Sequence, residues 1–231
     1  MTDYVLVHGA WGGGWSYDRL AGELTARGHR VLVAQLAGLG TRRDGLNPAI
    51  DLSTHVRDVI GQVEAAGFDR FVLCGHSYGG MVITGVATRL GARIDALCYI
   101  DAFLPGDGQS LWDITGDYEH HWYIDSQKDT PGLCAPIGGV KLLDNPHYGR
   151  HPLLTLIQGV PFTGEEAKVP RHVYIFASEW QPTPFPRFRD QVRSNPAWEL
   201  HEVGGGHDVM ADQPEKLLEI VLGLANQPIR L

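Results

Sequence analysis

The chain has 231 residues, the length of one globular domain, and its 43% hydrophobic and 20% charged residues exclude a disordered chain and a coiled coil. Its net charge of −8 argues against a nucleic-acid partner, and the lack of a long apolar run or a basic N-terminal leader argues against a membrane or secreted protein. Three cysteines without metal-site spacing favour a reduced, cytoplasmic protein with no metal over a disulfide scaffold.

Short apolar runs alternate with longer amphipathic segments along most of the chain. The apolar runs predict strands at residues 4–7, 31–34, 71–74, 96–100, 173–177 and 200–203. The amphipathic segments predict helices at residues 15–27, 52–66, 78–90 and 214–224. Because parallel strands need crossover connections, this alternation predicts an α/β fold in which helices cover both faces of a mainly parallel sheet.

Residues 103–168 interrupt the alternation, because Gly, Pro, Trp and His occur there without sustained periodicity. We predict one domain over residues 1–231, with 103–168 inserted as a lid over the carboxyl-terminal edge of the sheet, where open α/β folds bind ligands. Aromatic residues around that edge predict an apolar pocket for a small-molecule substrate. The candidate substrate contacts are Trp11, Trp112, Trp122 and Tyr123, with residues 160–162 and 182–185 at the entrance. For most of these residues, simple packing of the lid is the competing explanation.

Ser77 stands at the centre of the motif GHSYGG, between a predicted strand and a predicted helix. A strand that turns into a helix at one residue crowds the backbone, so small residues are needed two positions to either side, and Gly75 and Gly79 provide them. The serine at such a turn projects above the sheet at a helix N-terminus, where backbone amides favour negative charge. This context indicates a nucleophile rather than an incidental serine.

Two backbone amides are candidates for an oxyanion hole, the pair of N–H groups that binds the negative oxygen of an acyl-transfer intermediate. Tyr78 follows the nucleophile and offers one N–H group. The second candidate is the N–H of Ala10, in the small-residue turn after the first strand, where the backbone can approach the oxyanion closely.

His207 is the candidate general base among 11 histidines. It lies in the segment VGGGHD, after the last predicted strand and before the last predicted helix, where the third member of a triad arrives in the chain order serine, acid, histidine. His76 is adjacent to the nucleophile in sequence, but its side chain is expected to point away from the apex.

The combination of LVHGAWGGGW, GHSYGG, YIDAFLPGDGQS and GGGHDVM resembles the α/β-hydrolase superfamily. The greatest similarity is to the branch of plant methyl-esterases, hydroxynitrile lyases and small bacterial esterases. The resemblance implies a six-stranded, mainly parallel sheet, a Ser-His-acid triad and no cofactor. Hydroxynitrile lyases of this branch carry a threonine at the position of Gly9 and a lysine after the catalytic histidine. This chain has Gly9 and Asp208, which disfavours cyanohydrin cleavage.

The resemblance leaves the triad acid open. In the plant members the acid follows the strand that matches residues 173–177, and the matching residue here is Trp180, which cannot accept a hydrogen bond from the imidazole N–H. Glu179, one residue earlier, is one candidate. Asp101 is the other, and we favour it because its short side chain follows the strand next to the nucleophile strand. Asp208 is too close to His207 along the chain to orient its ring.

These residues predict a serine hydrolase that cleaves a small, partly apolar carboxylic ester, lactone or thioester through an acyl-enzyme. Two alternatives use the same motifs. One is a non-hydrolytic enzyme on this fold, such as a C–C lyase or a cofactor-independent dioxygenase, and the other is a ligand-binding module with an unproductive triad. The charge of −8 disfavours an acidic carrier protein as the acyl donor. The sequence leaves a homodimer open.

Overall fold

The computed structural model describes residues 1–180 and 184–225. The strands are β1 (Asp3–Val7), β2 (Arg30–Ala34), β3 (Phe71–Ser77), β4 (Ile94–Ala102), β5 (Leu133–Cys134), β6 (His151–Pro152), β7 (His172–Ala177) and β8 (Trp198–Val203). The α-helices are α1 (Asp18–Ala26), α2 (Leu52–Ala65), α3 (Gly79–Leu90), α4 (Leu111–Ile114), α5 (Asp117–Asp125), α6 (Leu154–Ile157), α7 (Phe185–Arg193), α8 (Val209–Asp212) and α9 (Pro214–Leu224). None of the described helices combines the length and the apolar character that crossing a bilayer requires.

Six of the strands form one sheet in the order β2-β1-β3-β4-β7-β8, and every neighbouring pair is parallel. This confirms the predicted α/β fold and the six-stranded sheet that the resemblance implies. Strands β5 and β6 pair antiparallel in a separate two-stranded ribbon inside the lid segment. Because β1, β3 and β4 are adjacent and parallel, the segments that follow them meet at one edge of the sheet.

Side chains of the central strands alternate between two apolar layers, as expected for a sheet buried on both faces. In β3, Phe71 and Leu73 pack into one layer with α2, α3 and α7, whereas Val72 and Cys74 pack into the other. Helices α1 and α9 cover that second face. The elements of the lid segment belong to the first layer, so the lid and α3 lie on the same side of the sheet.

The six predicted main-sheet strands and the four predicted helices are all present, with boundaries that differ by up to three residues. Helix α7 is an addition that the sequence analysis missed, because its nine residues begin FPRFR and follow a proline-rich stretch. Its apolar residues Phe185, Phe188 and Val192 nevertheless have helical spacing and are buried. In the lid segment, α4, α6, β5 and β6 have only two to four residues each, too few for a periodicity, and α5 buries a single residue, Tyr123, so it has no apolar stripe.

Candidate active site

Ser77 ends β3 in a sharp turn into α3, with a φ of 55°. The glycines around it have no room for a side chain. A Cβ on Gly75 would lie 2.7 Å from the carbonyl oxygen of Gly79, and a Cβ on Gly79 would lie 2.6 Å from that of Val7. The turn therefore has the strand-to-helix geometry that the motif predicts, and β3 delivers the Ser77 side chain to the carboxyl-terminal edge of the sheet.

Asp101 reaches the same edge through a β-bulge in the neighbouring strand. His76 pairs with Ile100, but Ser77 pairs with Ala102, so Asp101 is the extra residue of β4 at this point. Its φ of 40° is in the left-handed region. A bulge re-aims the side chain of the extra residue, and the Asp101 side chain is only 1% exposed.

The carboxylate of Asp101 binds the imidazole of His207. Oδ2 of Asp101 lies 2.7 Å from Nδ1 of His207, and Oδ1 accepts a hydrogen bond of 3.1 Å from the backbone N–H of Ala177. Since an ionised carboxylate only accepts hydrogen bonds, this contact places the proton of a neutral imidazole on Nδ1. Nε2 is then the basic nitrogen of the ring.

The other two carboxylates near His207 have different partners. Glu179 is exposed and makes no hydrogen bond with His207 within the described residues. Asp208 accepts a hydrogen bond from the N–H of Ala211 and thereby caps α8. The structure therefore brings Asp101 to His207, and it brings neither Glu179 nor Asp208 there.

Burial dominates the electrostatics of the Asp101–His207 pair. Removal from water disfavours the charged form of each group, so it raises the pKa of Asp101 and lowers the pKa of His207. The lowered pKa of His207 favours a neutral imidazole in the resting site. Such an imidazole can take a proton from a nearby hydroxyl group, which is what a general base must do.

Three aromatic rings pack around the imidazole of His207. Trp180 stacks on it with ring centroids 4.2 Å apart, and Phe185 lies nearly parallel to it at 5.2 Å. The ring of His76 is 4.5 Å away, and its Nε2 donates a hydrogen bond of 2.8 Å to the backbone carbonyl of His207. The sequence analysis missed this role of His76, because only the folded chain brings the loop of His207 beside it. For Trp180 the sequence did hold a signal of its place beside His207, since it occupies the position at which the plant members carry their triad acid.

The oxyanion turn, residues 8–11, lies directly against the nucleophile. A Cβ on Gly9 would be 3.1 Å from the Cβ of Ser77, so only a residue without a side chain fits comfortably at this position. The N–H groups of Ala10 and Tyr78 donate no hydrogen bond within the part of the chain that is described. Two unengaged amides thus flank Ser77, one from the turn and one from the start of α3.

The four candidate substrate contacts all pack within the lid or against it. The indole N–H of Trp11 donates to the carbonyl of Cys134, and that of Trp122 donates to the carbonyl of Ala135. Trp112 stacks on His120 with ring centroids 3.8 Å apart. Tyr123 is 1% exposed and offers a ligand almost no surface.

Of the candidate entrance residues, Val160 is buried and Phe162 is 38% exposed. Residues 182 and 183 lie outside the described residues. Among the residues that are described, no group of three or more His, Cys, Asp or Glu side chains is arranged to hold a metal ion.

Comparison with known proteins relates this geometry to a family. The model of the alpha/beta hydrolase family matches residues 4–220. The carbendazim hydrolyzing esterase of Nocardioides sp. (strain SG-4G) is 36% identical over an alignment that covers 97% of this chain and all of that protein. Salicylic acid-binding protein 2 of Nicotiana tabacum is 26% identical, with 97% of each chain covered. An extracellular alpha/beta-hydrolase from a Paenibacillus species superposes with a TM-score of 0.81 at 20% identity, over 97% of this chain and 99% of that one.

Proposed function

The chain belongs to the alpha/beta hydrolase family and is an ester-cleaving hydrolase, and we propose that it cleaves its substrate with Ser77, His207 and Asp101. The observation that carries this proposal is the 2.7 Å contact between Asp101 and His207 at the sheet edge where the Ser77 turn ends β3. A nucleophile, a base and a group that orients the base are the three parts that covalent acyl transfer requires.

The mechanism follows from these roles. Oγ of Ser77 attacks the acyl carbonyl while Nε2 of His207 takes the hydroxyl proton. Asp101 holds the imidazole in the Nδ1–H tautomer and stabilises the imidazolium that forms. The N–H groups of Ala10 and Tyr78 bind the negative oxygen of the tetrahedral intermediate.

Collapse of the intermediate breaks the bond to the alcohol, which leaves with the proton held by His207. Water then attacks the acyl-enzyme with the same histidine as base, and the carboxylic acid and free Ser77 are restored.

The substrate we propose is a small, partly apolar carboxylic ester, lactone or thioester. Its partly apolar character is supported by the aromatic residues of the lid segment, Trp112, Trp122 and Tyr123. The name of the 36% identical esterase makes carbendazim a candidate substrate. Gly9 and Asp208 argue against cyanohydrin cleavage, because Asp208 is anionic and caps a helix where a lysine would be needed to stabilise departing cyanide. A cytoplasmic location and the absence of a nucleic-acid or membrane partner stay predictions from the sequence, and a homodimer stays open.

Removal of the nucleophile tests the proposal. We expect Ser77→Ala to lower kcat for a panel of p-nitrophenyl esters, and for carbendazim where it is cleaved, by about ten-thousand-fold to a million-fold. Ser194→Ala is the control, because this serine is exposed at the end of α7, its hydroxyl donates to the carbonyl of Gln191, and its loss should leave activity unchanged. Undiminished hydrolysis by Ser77→Ala would exclude the proposed nucleophile. Tight ligand binding without turnover in the wild type would favour the binding-module alternative.

A further inference from the structure

The lid segment holds every polar group of Trp11, the last residue of the oxyanion turn. The backbone N–H of Trp11 donates to Nδ1 of His151 at 3.4 Å, and its indole N–H donates to the carbonyl of Cys134 at 3.1 Å. The carbonyl of Trp11 accepts from the N–H of Gly149 at 2.8 Å. Cys134 and His151 are opposite each other in the β5–β6 ribbon, so one cross-strand pair contacts Trp11 at two points.

Trp11 needs such support because of its backbone conformation. Its φ of 59° is in the left-handed region, which a large L-residue rarely adopts unless its surroundings impose it. The peptide group that carries the Trp11 N–H begins at the carbonyl carbon of Ala10. Rotation of that peptide would therefore turn Ala10, whose own N–H is the proposed oxyanion donor.

The hydrogen bonds of His151 determine which of its nitrogens accepts from Trp11. The side chain is fully buried, and Nε2 lies 2.7 Å from the hydroxyl of Thr155. That hydroxyl donates its proton to the carbonyl of Pro152, so it accepts from Nε2–H of the histidine. Nδ1 is left with a lone pair, which is what the N–H of Trp11 requires. Burial also lowers the pKa of His151, in agreement with a neutral ring.

The same imidazole contacts the residue that carries the other oxyanion donor. The rings of His151 and Tyr78 are 4.7 Å apart and nearly perpendicular, and the rings of His151 and Trp11 are 5.6 Å apart. Tyr78 is fixed from its far end by the hydrogen bond of 2.8 Å between its hydroxyl and Nδ1 of His55. His151 thus lies between the two halves of the oxyanion hole and contacts both.

We propose that His151 is a positioning residue, which acts through Trp11 to hold the oxyanion turn in its productive conformation. This inference rests on the proposed function. It also assigns Trp11 a role in fixing the turn rather than in contacting the substrate. Oxyanion contacts form in the transition state and not in the bound ester, so loosening the turn should lower kcat and leave KM unchanged.

Two substitutions of His151 separate its two hydrogen bonds. The amide oxygen of Asn can replace Nδ1 as the acceptor for Trp11, whereas the longer Gln side chain reaches Thr155 and leaves the Trp11 N–H without an acceptor. Loss of an entire oxyanion donor costs about a hundred-fold to a thousand-fold in kcat, so we expect a misplaced donor in His151→Gln to cost about ten-fold. His151→Asn should keep kcat within about three-fold of the wild type.

Trp11→Phe provides a second test, because it keeps an aromatic ring but removes the indole N–H that donates to the carbonyl of Cys134. We expect kcat to fall about three-fold to ten-fold with an unchanged KM. Affinity for a boronic acid, which forms a tetrahedral adduct with the serine, should fall by the same factor as kcat in each variant. The free energy of unfolding of each variant is measured alongside.

Three results would overturn the proposal. One is an equal loss of kcat in the Gln and Asn variants that follows their loss of stability, which would make the role merely structural. Another is a raised KM with unchanged kcat in Trp11→Phe, which would make Trp11 a substrate contact. The third is a His151→Gln variant as active as the wild type, when Ser77→Ala, purified in the same way, is inactive. Activity retained by Ser77→Ala would instead refute the proposed function. If the His151 variants do not fold, Trp11→Phe still tests whether the lid acts on the turn through Trp11, and an unchanged kcat overturns the proposal.

Discussion

Three residues carry backbone strain, and all three are at the site. Trp11, Ser77 and Asp101 are the non-glycine residues of the described chain with positive φ, at 59°, 55° and 40°. Such conformations cost on the order of 1–3 kcal/mol each and persist only where the surroundings impose them. Here the imposing groups are the lid, the glycines of the elbow (the turn from β3 into α3, residues 75–79) and the bulge of β4. Each strained residue lies near or beyond the carboxyl end of one of three adjacent strands, so the strain is concentrated at the sheet edge that carries the site.

The identity of the triad acid is a question about single residues, and substitution of each candidate answers it. Asp101→Asn should lower kcat by about ten-thousand-fold, because an amide in place of the carboxylate no longer selects the Nδ1–H tautomer or stabilises the imidazolium. Glu179→Gln should stay within about three-fold of the wild type, since its side chain is exposed and makes no hydrogen bond with His207 within the described residues. The measurement is kcat on one p-nitrophenyl ester, with near-ultraviolet circular dichroism to show that both variants fold. A large loss for Glu179→Gln alone would reverse the assignment.

The sequence could favour Asp101 but could not decide for it. The run YIDAFLP shows an aspartate after a strand, but it gives no sign that the register with β3 shifts by one residue there. That shift is a tertiary property, and it directs the carboxylate towards a loop more than 100 residues away in the chain. Ser77 and His207 were easier to identify, because local glycine patterns accompany each of them.

At the scale of elements, the elbow illustrates how closely α3 packs against the sheet. A Cβ on Gly79 would meet the backbone carbonyls of Val7 at 2.6 Å and His8 at 3.0 Å, and backbone cannot move aside as a flexible side chain could. We expect Gly79→Ala to lower the free energy of unfolding by at least about 2 kcal/mol. Urea denaturation measures this change.

Gly61→Ala is the matched control for that substitution. Gly61 lies within α2, and a Cβ there would meet nothing within 4 Å. Because alanine favours helix over glycine, this variant should gain up to about 1 kcal/mol of stability. A Gly79→Ala protein as stable as Gly61→Ala would show that the elbow tolerates a side chain and that α3 can shift.

The elements also differ in how far the sequence reveals them. The main-sheet strands are near-continuous apolar runs, because helices bury both faces of the sheet, and such runs are conspicuous in the sequence. The β5–β6 ribbon has two residues in each strand, too few for any pattern, although it supplies two contacts to Trp11. The lid therefore could be recognised as an insertion, but its bearing on the oxyanion turn could not be predicted.

At the scale of the whole molecule, three fully buried histidines couple protonation to folding. Burial lowers the pKa of His8 to about 4 and that of His55 to about 4, and it lowers the pKa of His151 further below its usual value. The rings of His55 and His151 are only 6.0 Å apart, so a charge on either disfavours a charge on the other. Nε2 of His8 has no hydrogen-bond partner in the described residues.

These shifts set the direction of the pH dependence. Unfolded histidines have a pKa of about 6.5 and bind protons that the folded protein excludes. The stability contributed by a neutral buried histidine is therefore complete above pH 6.5, and it is lost as the pH falls towards the folded pKa of about 4. Asp101 acts in the opposite direction, because its raised pKa makes the folded state bind a proton more tightly. Because three histidines lose stability on acidification and only this one carboxyl group gains it, the net stability of these four groups falls as the pH falls.

We therefore expect the free energy of unfolding to fall between pH 6.5 and pH 4.5, with each buried histidine contributing about 1.4 kcal/mol per pH unit at full effect. Urea denaturation at half-unit steps of pH gives the slope of the free energy of unfolding against pH. His55→Gln should lower that slope by about 1.4 kcal/mol per pH unit at full effect, which corresponds to one proton. A slope that is flat or of opposite sign in the wild type would mean that the buried rings are charged or exchange readily with water. An unchanged slope in His55→Gln would show that His55 does not contribute to the pH dependence of stability. Because these rings surround the turn beside Ser77, the decline in stability should be accompanied by loss of esterase activity over the same range of pH.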